Sequence, residues 1–395
     1  MKRLLLATTA VFALGTAAQA GEVIPMGISI GYTGPLESMA PGMTAAAEMA
    51  FKEVSDSGLL LDGSTITTHK ADTTCIDAAA ATAAMERIVT SDKVRGIVGG
   101  MCSGETTATL QNVAMPNGVV MIAPSATSPA LSTIEANDLF YRTSPSDARQ
   151  GVVMAEVLQE RGFKTVAVTY TNNDYGKGLA DAFQAAFEAI GGKVTINAPH
   201  EDGKADYSAE VGALAAAGGD LLVLAGYVDQ GGSGIIRGSL DSGAFDKFLF
   251  PDGMVGTPLE TNFGTQIDGS FGTNPASEGE GRDKFMELAK AAGFDGNSAF
   301  AAESYDAAAL MMLAMAKAKS SDPAVYKKEI LNIANGEGEK IYPGELAKAL
   351  EILNNGGTVD YEGATSVTFV NGRESAGSYR ETEMKDGKLT VVKYR

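Results

Sequence analysis

Short apolar segments of strand type alternate with helical segments along most of this chain, and this alternation constrains the fold more than any other feature. In the first set, Val23–Gly31 and Val94–Val98 are each followed by a helical segment. A second set begins with a helix at Asp147–Arg161 and a strand at Thr165–Tyr170. Strands that alternate with helices through short connections form parallel sheets covered by helices. The sequence therefore predicts an α/β protein with two doubly wound parallel sheets.

Two predicted strands of the first set end in small polar loops. Val94–Val98 runs into Gly99–Gly104, and Val119–Ala123 runs into Pro124–Pro129. In open parallel sheets, ligands bind outside the carboxyl ends of the strands, where such loops lie. Their hydroxyls and backbone N–H groups suit a small anion such as a carboxylate. We therefore predict that this stretch holds one end of a small zwitterionic ligand.

The first 20 residues have the pattern of an export signal. Met1–Arg3 is a positive head, and Leu4–Leu14 is mostly apolar but too short to span a membrane. Ala18–Ala20 matches the small-residue site at which signal peptides are cleaved. We expect cleavage after Ala20 and export of the remaining chain. The alternative is a membrane anchor that stays attached.

Acidic residues dominate the charge of the chain. The 395 residues include 49 Asp and Glu against 31 Lys and Arg, for a formal net charge of −18. A negative surface argues against nucleic acid and anionic membranes as partners. The charge does not identify a ligand, because solubility alone explains it. The length suffices for two lobes.

Cys75 and Cys102 are the two cysteines of the chain. In an oxidising compartment two cysteines usually pair, and closing the loop between them should stabilise the fold by on the order of 3–3.5 kcal/mol. A reactive thiol is the alternative, but it needs an activating partner, and no His or Lys motif lies beside either cysteine. We therefore predict a disulfide that ties two strand-end loops together and rigidifies Ser103.

Several short motifs, in their order and spacing, resemble those of the substrate-binding proteins of branched-chain amino acid ABC transporters. The resemblance covers nearly the whole chain after residue 20. The motifs are Gly34–Leu36, Asp72 to Cys75 with Cys102-Ser103, Pro124–Pro129, Tyr141–Thr143, Asp174–Gly176, Gly226-Tyr227, Pro251–Gly253 and Glu303–Ala307. The resemblance implies a type I periplasmic binding protein: two Rossmann-like lobes with parallel sheets, joined by three hinge crossovers. It also implies location in the periplasm.

We expect each lobe to be assembled from two parts of the chain, because lobes of this kind often exchange segments near the end. The first lobe is predicted to contain residues 21–143 and about 275–365. The second is predicted to contain residues 144–274 and about 366–395. Residues 257–280, which span the predicted boundary at 274/275, have little hydrophobic periodicity and are predicted to be irregular.

The same resemblance implies six ligand-binding residues. They are Ser103, Ser125 and Thr127 in the first lobe, and Tyr175, Tyr227 and Asp252 in the second. The first three would hold the ligand carboxylate through hydroxyls and backbone N–H groups, and Asp252 would pair with the ligand ammonium. From the residues alone, Ser103 and Thr127 could instead cap helices, and Asp252 could form a turn in Pro-Asp-Gly.

The resulting expectation is a monomeric receptor that binds a small amino acid, branched-chain or otherwise aliphatic, and delivers it to an ABC permease in the inner membrane. No cofactor and no metal are expected. Two departures leave the ligand open: Met39 lies where the family often has an aromatic residue, and Asp252 replaces the commoner Glu. A sensor of small amides or carboxylates on the same fold is the alternative.

An enzyme is not expected. His69 and His200 have no metal-ligand spacing, and both are predicted to be surface residues. The sequence contains no H-E-x-x-H, no P-loop and no G-x-G-x-x-G after a strand. Asp72 and Asp252 would make a carboxylate pair for a hydrolase only if the fold brought them together, and no sequence feature does so.

Overall fold

The computed structural model describes residues 21–395, so the predicted export signal lies outside the described residues. The strands are β1 (Val23–Ile30), β2 (Thr65–Asp72), β3 (Ile97–Gly99), β4 (Met121–Ala123), β5 (Phe140–Arg142), β6 (Thr165–Thr171), β7 (Lys193–His200), β8 (Leu221–Ala225), β9 (Phe248–Phe250), β10 (Phe271–Pro275), β11 (Glu339–Ile341), β12 (Val359–Tyr361), β13 (Phe369–Val370), β14 (Glu374–Ser375), β15 (Tyr379–Lys385) and β16 (Lys388–Tyr394).

Helices cover the sheets. The α-helices are α1 (Ala40–Ser57), α2 (Ala78–Thr90), α3 (Ser103–Thr109), α4 (Met115–Asn117), α5 (Asp147–Glu160), α6 (Asp174–Ala189), α7 (Ser208–Ala217), α8 (Gly231–Ser242), α9 (Thr257–Phe263), α10 (Glu280–Ala292), α11 (Ala301–Ala318), α12 (Pro323–Tyr326), α13 (Ile330–Ala334) and α14 (Leu346–Asn354). A π-helical turn, Leu110–Ala114, joins α3 to α4. Within the described residues, no helix is long and apolar enough to cross a membrane.

Two seven-stranded sheets organise these elements. The first has the order β13-β14-β5-β4-β3-β1-β2, and the second has the order β16-β15-β10-β9-β8-β6-β7. Neighbouring strands from β1 to β5 and from β6 to β10 pair in parallel, whereas β15 pairs antiparallel with β10 and β16. The predicted α/β class with two doubly wound sheets is confirmed. A third, two-stranded sheet pairs β11 with β12.

The chain passes between the two large sheets three times. The connections are residues 143–146, 276–279 and 376–378. The central strands of both sheets are wholly buried, because helices cover both faces of each sheet; examples are β3, β4, β8 and β9. The three predicted crossovers are therefore present, and the carboxyl ends of these strands face the cleft between the lobes.

The late helices pack on the first sheet. The long helix α11 is almost entirely buried and lies against α1 and near β3 and β4. Many residues along the contact are alanines, which let the two helices approach closely. The Tyr305 hydroxyl donates a hydrogen bond to Glu53 at 2.5 Å, and the Leu346 N–H donates to the same carboxylate at 2.8 Å. Tyr305 is thus a core residue of the first lobe.

Two sequence-based boundaries are wrong. Residues 257–280 are not irregular, since they include α9 and β10. The Gly, Asn and Pro of β10 seldom form strands, and pairing with β9 and β15 on either side overrides that tendency. Residues 369–375 do not join the second lobe, because β14 pairs with β5 in the first sheet. The return to the second sheet begins at Tyr379.

The predicted disulfide is present. Cys75 and Cys102 are bonded with their Cα atoms 5.3 Å apart, and the bridge joins the loop after β2 to the loop after β3. It spans a sequence separation of 27 residues. The bridge therefore constrains the backbone directly before Ser103.

We expect replacement of both cysteines by alanine to lower the free energy of unfolding by on the order of 3 kcal/mol, because the unfolded chain regains the entropy of the open loop. Urea unfolding of the two proteins measures the difference. As a control, a reducing agent should shift the midpoint of the wild type and leave that of the double variant unchanged. Equal midpoints for the two oxidised proteins would show that the bridge does not stabilise the fold.

The prediction that His200 is a surface residue is wrong. It ends β7, is 1% exposed, and places Nδ1 2.9 Å from the Thr169 hydroxyl. Burial lowers its pKa to about 4, so the ring is neutral at physiological pH. His69 lies at the edge of the first sheet, with Nδ1 3.2 Å from a carboxylate oxygen of Asp92. The two histidines lie on different sheets and form no common site.

Candidate ligand-binding site

Five of the six predicted ligand-binding residues line one cavity between the lobes. The space between its wall atoms is about 280 Å³. The wall residues are Leu36, Met101, Cys102, Ser103 and Ser125 from the first lobe, Tyr175, Tyr227, Asp252 and Gly253 from the second, and Phe300 beside α11. Most of them directly follow β3, β4, β8 and β9, the place where parallel sheets bind ligands.

Hydroxyl groups on the first-lobe wall are held by their neighbours. The Ser103 oxygen accepts a hydrogen bond from the Ser128 N–H at 3.0 Å, so its own O–H is left to donate. The Ser125 hydroxyl donates to the Met101 carbonyl at 3.0 Å and locks the two loops together. Ser125 can therefore serve a ligand through its backbone, whereas Ser103 can offer its hydroxyl.

Glu105, which the sequence did not single out, fixes the loop before Ser103. Its Oε1 accepts hydrogen bonds from the N–H groups of Met101 at 2.9 Å and Cys102 at 3.0 Å, and from the Thr73 hydroxyl at 3.2 Å. Burial raises the pKa of this carboxyl to about 8, although these hydrogen bonds lower it. A Glu three residues after a helix cap is a recognisable capping pattern, so the sequence carried this signal.

Arg142 holds the second loop. It is wholly buried and donates to the carbonyls of Ala126 at 3.0 Å and Ser128 at 2.9 Å. Its guanidinium also pairs with Glu374 at 2.6 Å. Arg142 therefore positions the loop that carries Ser125, and its counter-charge comes from the end of the chain. The Tyr141–Thr143 motif does not by itself indicate this role for Arg142.

Thr127 does not lie on the cavity wall. It is 1% exposed, and its hydroxyl has no hydrogen-bond partner among residues 21–395. Its carbonyl accepts a hydrogen bond from the Asp147 N–H at 2.9 Å. Contact of the Thr127 hydroxyl with a ligand therefore stays a prediction.

Tyr175, Tyr227 and Asp252 form the second-lobe wall. The two tyrosine rings stack, with centroids 5.2 Å apart and planes 8° from parallel. The Tyr175 hydroxyl and the Gly253 N–H each donate to Asp252 Oδ1 at 2.7 Å. Oδ2 of Asp252 is buried without a partner in the described part of the chain. Asp252 is thus held in place by one oxygen and presents the other.

Asp147 is a further buried carboxylate that sequence reasoning missed; it does not line the cavity but interacts electrostatically with Asp252. It is the first residue of α5, is 0% exposed, and neither of its oxygens has a hydrogen-bond partner in the described region. Burial and the charge of Asp252 raise its pKa well above the usual range. An Asp in the first turn of a helix is ordinary in sequence, so it gave no distinctive signal.

These acids make the second-lobe side of the cavity suited to a positive charge. Burial raises the pKa of Asp252 to about 6, although its hydrogen bond from Tyr175 lowers it. Among residues 21–395, no Lys or Arg side chain lines the cavity. A buried carboxylate without a partner is unfavourable, and a cationic group nearby relieves that cost.

Hydrogen bonds join the two lobes across the mouth of the cleft. The Asp229 N–H donates to the Pro35 carbonyl at 3.1 Å, and the Ser38 N–H donates to Asp229 Oδ2 at 2.8 Å. Pro35 and Ser38 follow β1 in the first lobe, and Asp229 follows β8 in the second. The structure therefore shows the lobes closed over the cavity.

A comparison with known families accounts for this arrangement. The model of the periplasmic binding protein family matches residues 23–333. The chain belongs to this family. The predicted resemblance to periplasmic substrate-binding proteins is thereby confirmed, and so is the predicted two-lobe type I fold.

Individual relatives differ in what they bind. The leucine-, isoleucine-, valine-, threonine-, and alanine-binding protein of Pseudomonas aeruginosa is 28% identical over 322 residues, covering 81% of this chain and 85% of the relative. A solved leucine-binding protein from Thermotoga maritima has a TM-score of 0.77 at 21% identity, covering 94% of this chain and 98% of its own. A solute-binding protein from R. palustris in complex with 4-hydroxybenzoate has a TM-score of 0.74 at 20% identity, covering 95% and 97%. The fold therefore serves both amino acids and aromatic acids.

Proposed function

We propose that this protein is an extracytoplasmic solute receptor that binds an aliphatic amino acid, branched-chain in the first instance, between its lobes. The observation that carries the proposal is Asp252, a buried carboxylate on the cavity wall whose Oδ2 has no hydrogen-bond partner among residues 21–395 and whose charge acts on the buried Asp147. The ligand ammonium supplies the positive charge that Asp252 needs. The Ser103 hydroxyl and the loop at Ser125 then receive the ligand carboxylate.

The apolar part of the wall supports an aliphatic side chain. Leu36, Met101 and Phe300 line the cavity together with the stacked tyrosine rings. These surfaces offer contact to methyl groups, whereas a charged side chain on the ligand would lose its hydration there. The unbranched side chain of Met101 can adapt to ligands of different shape.

Aromatic or other carboxylates that lack an amine are the second candidate, because the R. palustris protein with the same fold holds 4-hydroxybenzoate. Such a ligand brings a negative charge towards Asp252 and leaves this carboxylate unpaired. It therefore binds well only if Asp252 is protonated. The electrostatics of the site favour the amino acid at neutral pH.

Delivery to an ABC permease in the inner membrane completes the proposal. The named relatives that bind branched-chain amino acids support it, and so do the export pattern of residues 1–20 and the closed lobes. The receptor acts as a monomer in the periplasm. The permease recognises its closed form, in which Asp229 joins the two lobes across the cleft.

A calorimetric and thermal-shift screen of the purified protein tests the ligand class. A ligand that binds only the folded state raises the melting temperature by mass action. We expect leucine, isoleucine or valine to give a saturable shift at neutral pH. We expect much smaller shifts with 4-hydroxybenzoate, which lacks the amine, and with leucinamide, which lacks the carboxylate. A shift with 4-hydroxybenzoate alone would reject the amino acid proposal and retain the fold.

Binding should depend on pH in a direction that separates the two ligand classes. The ammonium binds the carboxylate form of Asp252, whose pKa is about 6 without ligand. Protonation of Asp252 is therefore expected to make amino acid affinity fall below that pH, by at most roughly tenfold per pH unit. Calorimetry between about pH 7.5 and pH 5 measures this slope. For a carboxylate without an amine the affinity rises instead as Asp252 is protonated, so a rise for leucine would contradict the pairing.

A further inference from the structure

A second polar cavity lies beside the crossovers between the sheets. The space between its wall atoms is about 250 Å³, and Phe300 lines both it and the ligand cavity. Most of its polar wall residues come from β10, the second crossover, α10, the segment before α11, α11 itself and β15. They include Asn274, Ser277, Arg282, Asn297, Glu303 and Arg380. We call this space the crossover cavity.

Two buried guanidinium groups dominate the crossover cavity. Arg282 is 9% exposed and Arg380 is 7% exposed. Arg282 donates to the side-chain oxygen of Asn297 at 2.8 Å. Arg380 donates to the side-chain oxygen of Asn274 at 3.0 Å and to the Asn297 carbonyl at 2.9 Å. All of these acceptors are neutral.

Neither arginine forms an ion pair with a carboxylate within residues 21–395. A guanidinium stays protonated in a protein, and buried charges are normally paired. Burial lowers the pKa of both groups, and their mutual repulsion lowers that of Arg380 further. Two like charges held in one cavity with neutral acceptors are therefore missing their counter-charge.

Glu303 is the one acid on the wall of the crossover cavity. It is 3% exposed, and burial raises the pKa of its carboxyl to about 7, although the charge of Arg282 lowers it. At neutral pH it therefore offsets at most one of the two guanidinium charges. The charge of Asp295 also acts on both guanidinium groups, and that of Asp283 acts on Arg282. The uncompensated positive charge is therefore small and suits a monovalent anion better than a divalent one.

We propose that the crossover cavity binds a small monovalent inorganic anion, such as chloride, between Arg282 and Arg380. The nearby Glu303 disfavours more highly charged anions.

The two arginines belong to different lobes. Arg282 lies on α10, whose Phe285 packs on Tyr305 of the first-lobe helix α11, and Arg380 lies on β15 of the second sheet. An anion between them joins the lobes beside their crossovers. Bound anion therefore stabilises the closed arrangement and strengthens ligand binding.

The test is a thermal titration of the protein without amino acid, with chloride replacing gluconate at constant ionic strength. A specific site gives a saturable rise of about 2 °C at tenfold above the dissociation constant. Arg380→Gln should abolish the rise, and Arg87→Gln, which changes an exposed arginine, should retain it. The same rise in Arg380→Gln, or no rise in the wild type, would overturn the site.

Bromide provides a readout that needs no variant. Crystals of the wild type grown in bromide should show an anomalous peak between the two guanidinium groups, and its absence at saturating bromide would reject the proposal. In solution, we expect leucine to bind several-fold more tightly in chloride than in gluconate, and equal affinities would reject the coupling to closure. The titration without amino acid does not depend on the proposed function, so the anion site and the amino acid function can fail separately.

Discussion

Replacing Asp252 with asparagine is expected to weaken leucine binding by about 2–5 kcal/mol, or roughly 30- to 4000-fold in dissociation constant. The amide has nearly the shape of the carboxylate and can still accept from the Tyr175 hydroxyl and the Gly253 N–H at the same oxygen. The change therefore removes the charge that pairs with the ligand ammonium and little else. Isothermal calorimetry of both proteins at neutral pH measures the loss.

The stability of the unliganded variant separates this effect from misfolding. Because the buried charge of Asp252 is costly beside Asp147, the unliganded Asp252→Asn protein should melt at the wild-type temperature or higher. Asp241→Asn, which changes an exposed acid on α8, is the matched control and should bind leucine normally. Unchanged affinity in Asp252→Asn would remove this residue from the site.

Replacing Arg142 with glutamine is expected to destabilise the fold by about 3–5 kcal/mol, because it leaves Glu374 buried without its counter-charge. It also frees the carbonyls of Ala126 and Ser128, so the loop that carries Ser125 loses its support. Urea unfolding measures the first effect, and leucine affinity in the surviving folded protein measures the second.

A second substitution distinguishes the ion pair from a general packing defect. Arg142→Gln combined with Glu374→Gln removes both charges, so it should recover much of the lost free energy of unfolding. Arg87→Gln changes an arginine that is 54% exposed and should cost little. If the double variant is no more stable than Arg142→Gln alone, the buried charge of Glu374 is not the cause.

Local patterns were sufficient for the fold class and for most of the cavity wall. Ser103, Ser125, Tyr227 and Asp252 each follow a strand whose apolar run is visible in the sequence. In a parallel sheet the carboxyl ends of such strands lie at one edge, so position along the chain places these residues on the cleft. The disulfide was predictable for a related reason, since the chain has two cysteines and both lie in strand-end loops.

Long-range contacts decided the rest. Arg142 and Glu374 are separated by 232 residues, and each looks like an ordinary surface residue until β14 pairs with β5. The weakly strand-forming residues of β10 become a strand because β9 and β15 flank them.

The sequence alone thus determined the two sheets, their helices and the residues at the strand ends, because hydrophobic periodicity and turn residues act over a few positions. Only the tertiary structure decided which buried charges face one another: Asp147 with Asp252, Arg142 with Glu374, and Arg282 with Arg380. The physical reason is that a charge is costly only when the fold removes it from water, and burial depends on elements that lie far away along the chain.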